Sequence, residues 1–150
     1  MAKEIERKFL VSGKGWRKHA DRGKTIRQAY LLIADDLSVR VRTIGKAKAF
    51  LTIKSGKPAL SRSEFEYPIP FKDARKLMKL RTGRLIVKRR YTVKAGKSRF
   101  EVDVFRRRHK GLVIAEIELA SRDTHFPRPK WLGKEVTADK RYYNAQMARS

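Results

Sequence analysis

The chain of 150 residues has no cysteine, few acidic residues and no long apolar run. The absence of cysteine excludes disulfide bonds, thiolate metal sites and cysteine nucleophiles. Because no apolar run approaches about 18 residues and no signal-peptide core precedes a small-residue cleavage site, we expect a cytoplasmic protein without a membrane partner. The length suits one domain, over residues 1–150, that buries its own core.

Acidic residues are scarce, with 15 aspartates and glutamates against 39 lysines and arginines and a net charge of +24. This excess favours anionic partners, namely nucleic acid, phosphates or an acidic membrane surface, and charge alone does not choose among them. A phosphate-binding P-loop is also missing, since neither Gly13-Lys14-Gly15 nor Gly56-Lys57 has the required spacing of glycine, lysine and hydroxyl residues.

Most of the chain consists of short runs in which apolar and polar residues alternate, with turn-forming residues between them. Alternation with a period of two predicts β-strands. We predict eight of them, over residues 3–11, 25–33, 37–43, 48–54, 62–69, 85–94, 97–106 and 112–120. Helical spacing appears after Pro70, with Gly83 as the stop signal, and more weakly over residues 139–148. A short helix is also expected over residues 16–20. The predicted fold class is α+β, mainly β.

Like charges are segregated on single strand faces, because side chains at i and i+2 point the same way. The acidic pairs are Glu4 and Glu6, Glu64 and Glu66, Glu101 and Asp103, and Glu116 and Glu118, and the basic pairs are Arg40 and Arg42, and Lys88 and Arg90. A solvated sheet face is the usual explanation of alternation. However, carboxylates about 6.6 Å apart repel by roughly 2.5 kcal/mol at an effective dielectric constant near 20, so something must compensate these pairs.

Eight of the 15 acidic residues lie in those four pairs. Eight strands suffice to close a barrel that holds one small ligand. If the charged rows face inward, metal ions neutralise the carboxylates and the basic rows bind an anion bridged to the metals. We therefore predict an eight-stranded antiparallel closed β-barrel, a tunnel with a few flanking helices. Its outward apolar faces need cover from helices or a second subunit and favour a homodimer.

The motif Glu4-x-Glu6-x-Lys8 resembles the signature of the CYTH superfamily, the triphosphate tunnel metalloenzymes. The resemblance continues in order through seven further segments, which are Val39-Arg40-Val41-Arg42, Leu51-Thr52-Ile53-Lys54, Arg62-Ser63-Glu64-Phe65-Glu66, Lys88-Arg89-Arg90, Phe100-Glu101-Val102-Asp103-Val104-Phe105, Ala115-Glu116-Ile117-Glu118-Leu119 and Gly133-Lys134-Glu135-Val136-Thr137. It implies an eight-stranded tunnel that binds Mg²⁺ or Mn²⁺ and a triphosphate. The activity it implies is metal-dependent hydrolysis, with inorganic triphosphate, cleaved to pyrophosphate and phosphate, as the first choice of substrate.

The resemblance also implies roles for individual residues. The expected metal ligands or their close supports are Glu4, Glu6, Glu64, Glu66, Asp103, Glu116 and Glu118. The expected phosphate-binding residues are Arg40, Arg42, Lys54, Arg90 and Lys134, with Arg62 and Lys88 in phase with them. Lys8 is expected to position or activate the attacking water, with help from Tyr30, which is in phase with Gln28.

Two other functions stay open. A nucleoside triphosphatase or a class IV adenylyl cyclase would use the same tunnel, and thiamine triphosphate or RNA 5′-triphosphate ends present the same anionic head. From a different class, a non-catalytic module would bind RNA or polyphosphate. The proposed site balances eight acids with eight bases, so the excess charge lies outside it. Because the stacking aromatics of an RNA-recognition sheet are absent, we expect nucleic acid as a secondary partner at most.

Overall fold

A computed structural model describes residues 5–56 and 63–149. Each of the eight predicted strands is present, and a ninth follows them. The strands are β1 (Ile5–Val11), β2 (Lys24–Ile33), β3 (Leu37–Ile44), β4 (Lys48–Ser55), β5 (Ser63–Pro68), β6 (Thr82–Ala95), β7 (Ser98–Phe105), β8 (Val113–Leu119) and β9 (Leu132–Glu135). The helices are α1 (Phe71–Met78) and α2 (Asn144–Arg149), with 3-10 turns at Gly15–His19, Arg107–His109 and Lys140–Tyr142.

The strands form a mostly antiparallel sheet in the hydrogen-bonded order β5-β4-β3-β2-β6-β7-β8-β1-β9. The prediction of eight strands is therefore wrong. Among the described residues, hydrogen bonds do not close this order into a ring, which also corrects the prediction of a hydrogen-bonded closed barrel. The prediction that the charged faces line one tunnel stays a prediction.

The ninth strand was missed because its four residues are too few to show alternation and include a glycine, which strands disfavour. Its pairing with β1 shifts register between Phe9 and Val11. A Cβ on Gly133 would lie 2.8 Å from the Leu10 carbonyl oxygen. Glycine at this position therefore allows β9 to approach β1.

Helix α1 ends at Met78, five residues before the predicted stop at Gly83. Gly83 instead lies in β6 with a φ of +71°, and a Cβ there would clash with the Ala148 carbonyl oxygen. Glycine at this position allows the backbone of helix α2 to lie close to β6, and it does not end a helix. The predicted C-terminal helix is divided into the 3-10 turn Lys140–Tyr142 and α2.

The described residues fall into two compact units. Unit 1 comprises residues 5–24 and 88–142, and unit 2 comprises residues 25–56, 63–87 and 143–149. Strand β6 contributes to both, since its residues up to Val87 belong to unit 2 and those from Lys88 belong to unit 1. A single domain over residues 1–150 stays a prediction.

Each unit covers the apolar face of its own strands. In unit 1, Trp16, Phe126 and Trp131 pack against that face. The buried core there consists of Phe9, Trp16, Val93, Phe100, Val102, Ala115, Ile117, Leu119 and Trp131. In unit 2, Ala74 and Met78 of α1 pack against Ala29, Val41 and Ala49.

Some apolar surface on unit 2 stays uncovered. Phe65 and Tyr67 of β5 are 48% and 53% exposed, and β5 lies at one end of the hydrogen-bonded strand order. A homodimer stays a prediction. No helix among the described residues has the length and apolar character needed to cross a membrane.

Candidate functional site

The charged site residues predicted on β1, β7 and β8 share one sheet face of unit 1. Directly opposite residues of an antiparallel pair point to the same side. Glu116 of β8 lies opposite Glu101 on one side and Lys8 on the other, and Glu118 lies opposite Glu6. The apolar core occupies the other face, so alternation separates a charged surface from a packed one.

A buried cluster of opposite charges anchors this face where β6 meets β7. Lys88 is fully buried, and its Nζ lies 2.8 Å from Oδ2 of Asp103. Arg90, directly opposite Asp103, donates from Nε to Oδ1 over 2.7 Å and from Nη2 to Oδ2 over 2.9 Å. A third bond from Arg90 reaches Glu101 over 3.2 Å. Such bidentate geometry fixes the plane of the guanidinium.

The pKa values of this cluster follow from its charges. Burial alone raises the pKa of Asp103, but the charges of Lys88 and Arg90 and their hydrogen bonds outweigh it and hold that pKa below the usual range. Burial likewise lowers the pKa of Arg90, and the hydrogen bonds and charge of Asp103 more than reverse this. Asp103 and Arg90 are therefore both ionised at neutral pH.

Lys8 is held at a defined position on the same face. Its backbone N–H donates to Thr137 Oγ1 over 3.0 Å, and its carbonyl accepts from Val136 over 2.8 Å. The side-chain Nζ lies 3.7 Å from a carboxylate oxygen of Glu116 and donates to the carbonyl oxygen of Tyr142 over 3.4 Å. The ammonium is thus bound on two sides by oxygen atoms.

The remaining carboxylates of this face are the candidates for binding metal ions. Glu6 lies opposite Glu118, and both are exposed. Glu101 lies opposite Glu116, and Glu116 is buried. Like charges directly opposite each other destabilise a sheet unless a cation lies near them, and carboxylate oxygens suit hard cations. The donor chemistry therefore fits Mg²⁺ or Mn²⁺.

The described residues do not contain a fully assembled metal site. Within residues 5–56 and 63–149, no three acidic or histidine side chains are already arranged around a common point. The predicted ligand Glu4 lies outside the described residues, as does the predicted phosphate-binding residue Arg62.

Unit 2 carries a second charged face, which runs across four strands. Tyr30, Arg40, Thr52 and Glu66 form one row from β2 to β5. Arg40 is only 8% exposed, and its Nη2 donates to Thr52 Oγ1 over 3.4 Å. Its Nε has no hydrogen-bond partner among the described residues. A buried guanidinium without an acidic partner is costly, so this position is explained if an anion binds there.

Arg42 is oriented by a chain of neutral groups. Its Nε donates to Oε1 of Gln28 over 3.1 Å, and Nε2 of Gln28 donates to Oδ1 of Asn144 over 2.9 Å. Asn144 is the first residue of α2, so the C-terminal helix holds Gln28, which in turn holds Arg42. This chain of contacts fixes the direction of the Arg42 guanidinium.

The other predicted site residues are placed less closely. Lys54 lies opposite Glu64 on the face that carries Arg40, and Tyr30 is buried directly opposite Arg40. Glu64 and Glu66 are exposed on β5. Lys134 is exposed on β9, and no described contact joins it to the buried cluster around Asp103.

Three residues of these faces were not predicted as site residues. Glu101 binds Arg90, and Gln28 and Asn144 orient Arg42. Glu101 belongs to an acidic pair in the sequence. The two-residue turn between Ala95 and Ser98 sets the register of β6 against β7, and this register could have predicted that Glu101 lies near Arg90. No local pattern marks Asn144.

The two arginines that interrupt the apolar alternation have structural contacts. Arg7 forms a two-point pair with Glu135 and lies over the ring of Phe126 at 5.0 Å. Arg89 donates to the carbonyl oxygens of Arg22 and Gly23 over 2.6 Å and 3.2 Å. Both belong to the side of the sheet that faces away from the charged cluster.

Comparison with known proteins gives a consistent result. The sequence matches the CYTH domain family over residues 2–149. Curated relatives from Acetivibrio thermocellus and Nitrosomonas europaea, both named inorganic triphosphatase, are each 39% identical to this chain. These alignments cover 100% and 98% of the chain and 96% and 97% of the relatives.

This chain is also similar to solved structures. The crystal structure of an inorganic triphosphatase has a TM-score of 0.74 at 36% identity, covering 100% of this chain and 97% of that one. A conserved hypothetical protein from Pyrococcus furiosus has a TM-score of 0.61 at 21% identity over 81% of both chains, which shows a shared fold.

Proposed function

This chain belongs to the CYTH domain family, and from that membership we propose that it is a triphosphatase that cleaves inorganic triphosphate to pyrophosphate and phosphate. Full-length identity of 39% to two inorganic triphosphatases supports the choice of substrate. A cytoplasmic location is part of this proposal.

The observation that carries the proposal is the buried guanidinium of Arg40. Its Nε lacks a partner among the described residues, and the side chain points to the face that also carries Arg42 and Lys54. Three cations on one face match a ligand with several negative charges in a row. Arginine forks suit phosphoryl oxygens because they donate two parallel hydrogen bonds.

We assign the metal to the carboxylates of unit 1. Glu6, Glu101, Glu116 and Glu118 would hold Mg²⁺ or Mn²⁺, because they form two cross-strand pairs on one sheet face and carboxylate oxygens suit hard cations. A bound divalent ion supplies neutralisation of charge on phosphate oxygens. Asp103, which already accepts bonds from Lys88 and Arg90, would act as the support that orients these two cations.

The chemistry requires little covalent help from the protein. A water oxygen forms a bond to the terminal phosphorus, the bond to the bridging oxygen breaks, and pyrophosphate leaves with the electron pair while the water proton passes to solvent. Such transfer is accelerated mainly by positioning and charge neutralisation. Lys8, held between Glu116 and the Tyr142 carbonyl, would position the water or the terminal phosphate as a hydrogen-bond donor.

The test is phosphate release from inorganic triphosphate, pyrophosphate and ATP, each with Mg²⁺, with Mn²⁺ and with a chelator. We expect the largest kcat/KM with inorganic triphosphate and no release in the chelator. Cyclic AMP is measured in the ATP reactions. Faster turnover of ATP, or formation of cyclic AMP, would overturn the assignment of substrate.

A further inference from the structure

A second basic site lies in unit 1, away from the residues assigned to catalysis. It is a groove of about 840 Å³ between the first 3-10 turn, the β6–β7 hairpin and the segment 127–131. Five of its lining side chains are basic and exposed, namely Lys18, His19, Lys94, Arg128 and Lys130. None of the predicted site residues lines it.

The charged side chains that line this groove are all basic. Among the described residues that line it, no side chain is acidic. This differs from the sheet face of unit 1, where Asp103 pairs with Lys88 and Arg90. The groove is therefore not neutralised by its own walls, and it attracts anions.

The groove offers little aromatic surface for stacking on nucleic-acid bases. Apart from the imidazole of His19, Trp131 is the one aromatic side chain among the described residues that line it, and it is only 7% exposed and packs edge-on against Phe100 at 5.2 Å. Proteins that bind single-stranded nucleic acid rely on base–aromatic stacking in addition to charge. The walls thus suit a ligand that is recognised through its negative charges alone.

We propose that this groove binds inorganic polyphosphate, a linear chain of phosphates without bases or sugars. Arg128 is held in place by stacking over the rings of Phe126 and Phe9, at 4.7 Å and 5.7 Å. The lysines are flexible point charges that follow a phosphate chain without requiring one geometry. This site is additional to the proposed triphosphatase site.

The test compares two double variants that lower the net charge equally. Lys94→Glu with Lys130→Glu alters the groove, and Lys72→Glu with Lys76→Glu alters exposed lysines of α1. Binding of end-labelled inorganic polyphosphate is measured by fluorescence anisotropy without divalent metal. We expect the groove variant to bind about tenfold more weakly and to show a shallower salt dependence, and the control to lose less than about threefold.

Two results would overturn the proposal. Equal weakening of polyphosphate binding in both variants would mean that diffuse surface charge binds the ligand. Tighter binding of single-stranded oligouridylate than of polyphosphate to the groove would also contradict it. Hydrolysis of inorganic triphosphate is measured in parallel and is expected to be unchanged in both variants, so failure of the groove is distinguishable from failure of the proposed function. If the glutamate variant does not fold, Lys94→Ala with Lys130→Ala carries the same test, with a loss of about threefold expected.

Discussion

The buried cations of the two units have different kinds of partner. In unit 1, Lys88 and Arg90 converge on Asp103 at hydrogen-bond distance. In unit 2, the buried Arg40 reaches only the hydroxyl of Thr52 among its described partners, and Arg42 is held by the neutral side chain of Gln28. The cations around Asp103 in unit 1 are thus neutralised by a carboxylate, whereas the Nε of the buried Arg40 in unit 2 has no hydrogen-bond partner among the described residues.

This difference indicates a division of labour between stability and binding. A buried cation that has a carboxylate partner is fixed in place, and removing that partner is strongly destabilising. A buried cation without such a partner costs free energy of folding, and this cost is recovered when an anion binds. Mutations in the two units should therefore affect different measured quantities.

The largest expected effect is on the stability of unit 1. Asp103→Asn leaves Lys88 and Arg90 buried without their carboxylate, and we expect the free energy of unfolding to fall by about 3–5 kcal/mol. Urea unfolding measures it. Asp123→Asn, at an exposed acid of the same unit, is the control and should change stability by less than about 0.5 kcal/mol. A loss below about 1 kcal/mol for Asp103→Asn would show that the cluster is not buried and coupled as described.

The next effect is on activity in unit 2. Arg40→Met is expected to lower kcat/KM for inorganic triphosphate about 100-fold, because a buried charge-assisted contact to the substrate is lost. The free energy of unfolding should not fall, since the variant removes a buried cation that forms no ion pair within residues 5–56 and 63–149. Arg27→Met, at an exposed arginine of β2, serves as the control. Destabilisation by Arg40→Met to the extent of Asp103→Asn would abolish the distinction between the units.

A smaller effect is expected from the residues that orient Arg42. Asn144→Ala removes the acceptor for Gln28, so Arg42 loses its fixed direction. We expect KM for inorganic triphosphate to rise about fivefold with kcat nearly unchanged, because binding is affected more than the reacting atoms. Gln146→Ala, on the exposed side of the same helix, should leave KM unchanged. A fall in kcat at constant KM would contradict a positioning role through Arg42.

The smallest effect concerns the exposed pair of Arg7 and Glu135. Hydrogen bonds from Arg7 lower the pKa of Glu135 from about 4.5 to about 2, although partial burial opposes the shift. A depressed pKa in the folded state means that the pair stabilises the fold above about pH 4.5 and that this contribution disappears as the pH falls towards 2. Because the pair is exposed, we expect Glu135→Gln to cost less than about 1 kcal/mol at pH 7. The difference between the variant and the unaltered protein should vanish near pH 2, and a constant difference over this range would exclude the pair as its cause.

The sequence contained much of this arrangement where its signals are local. The strands and the separation of charged from apolar faces follow from alternation alone. The turn that places Ala95 opposite Ser98 also determines that Arg90 lies opposite Asp103, since a hairpin ladder continues from its turn. That pairing is therefore encoded locally in the sequence.

Other contacts are not encoded locally. Lys8 lies opposite Glu116 because β1 pairs with β8, which is more than 100 residues away in the chain. The contact between Gln28 and Asn144 likewise joins distant segments. Strand β9 depends on Gly133, whose role is visible only once Leu10 is beside it. The roles of these residues can be predicted only when the pairing of distant segments is known.

The most direct test of the account is a two-way titration of phosphate release, in which the concentrations of Mg²⁺ and inorganic triphosphate are varied for Glu118→Gln and Arg40→Met. We expect Glu118→Gln to raise the Mg²⁺ concentration needed for half-maximal rate, and Arg40→Met to raise KM for triphosphate at saturating Mg²⁺. If Glu118→Gln changed only the triphosphate requirement and Arg40→Met only the metal requirement, the assignment of metal to unit 1 and anion to unit 2 would be contradicted.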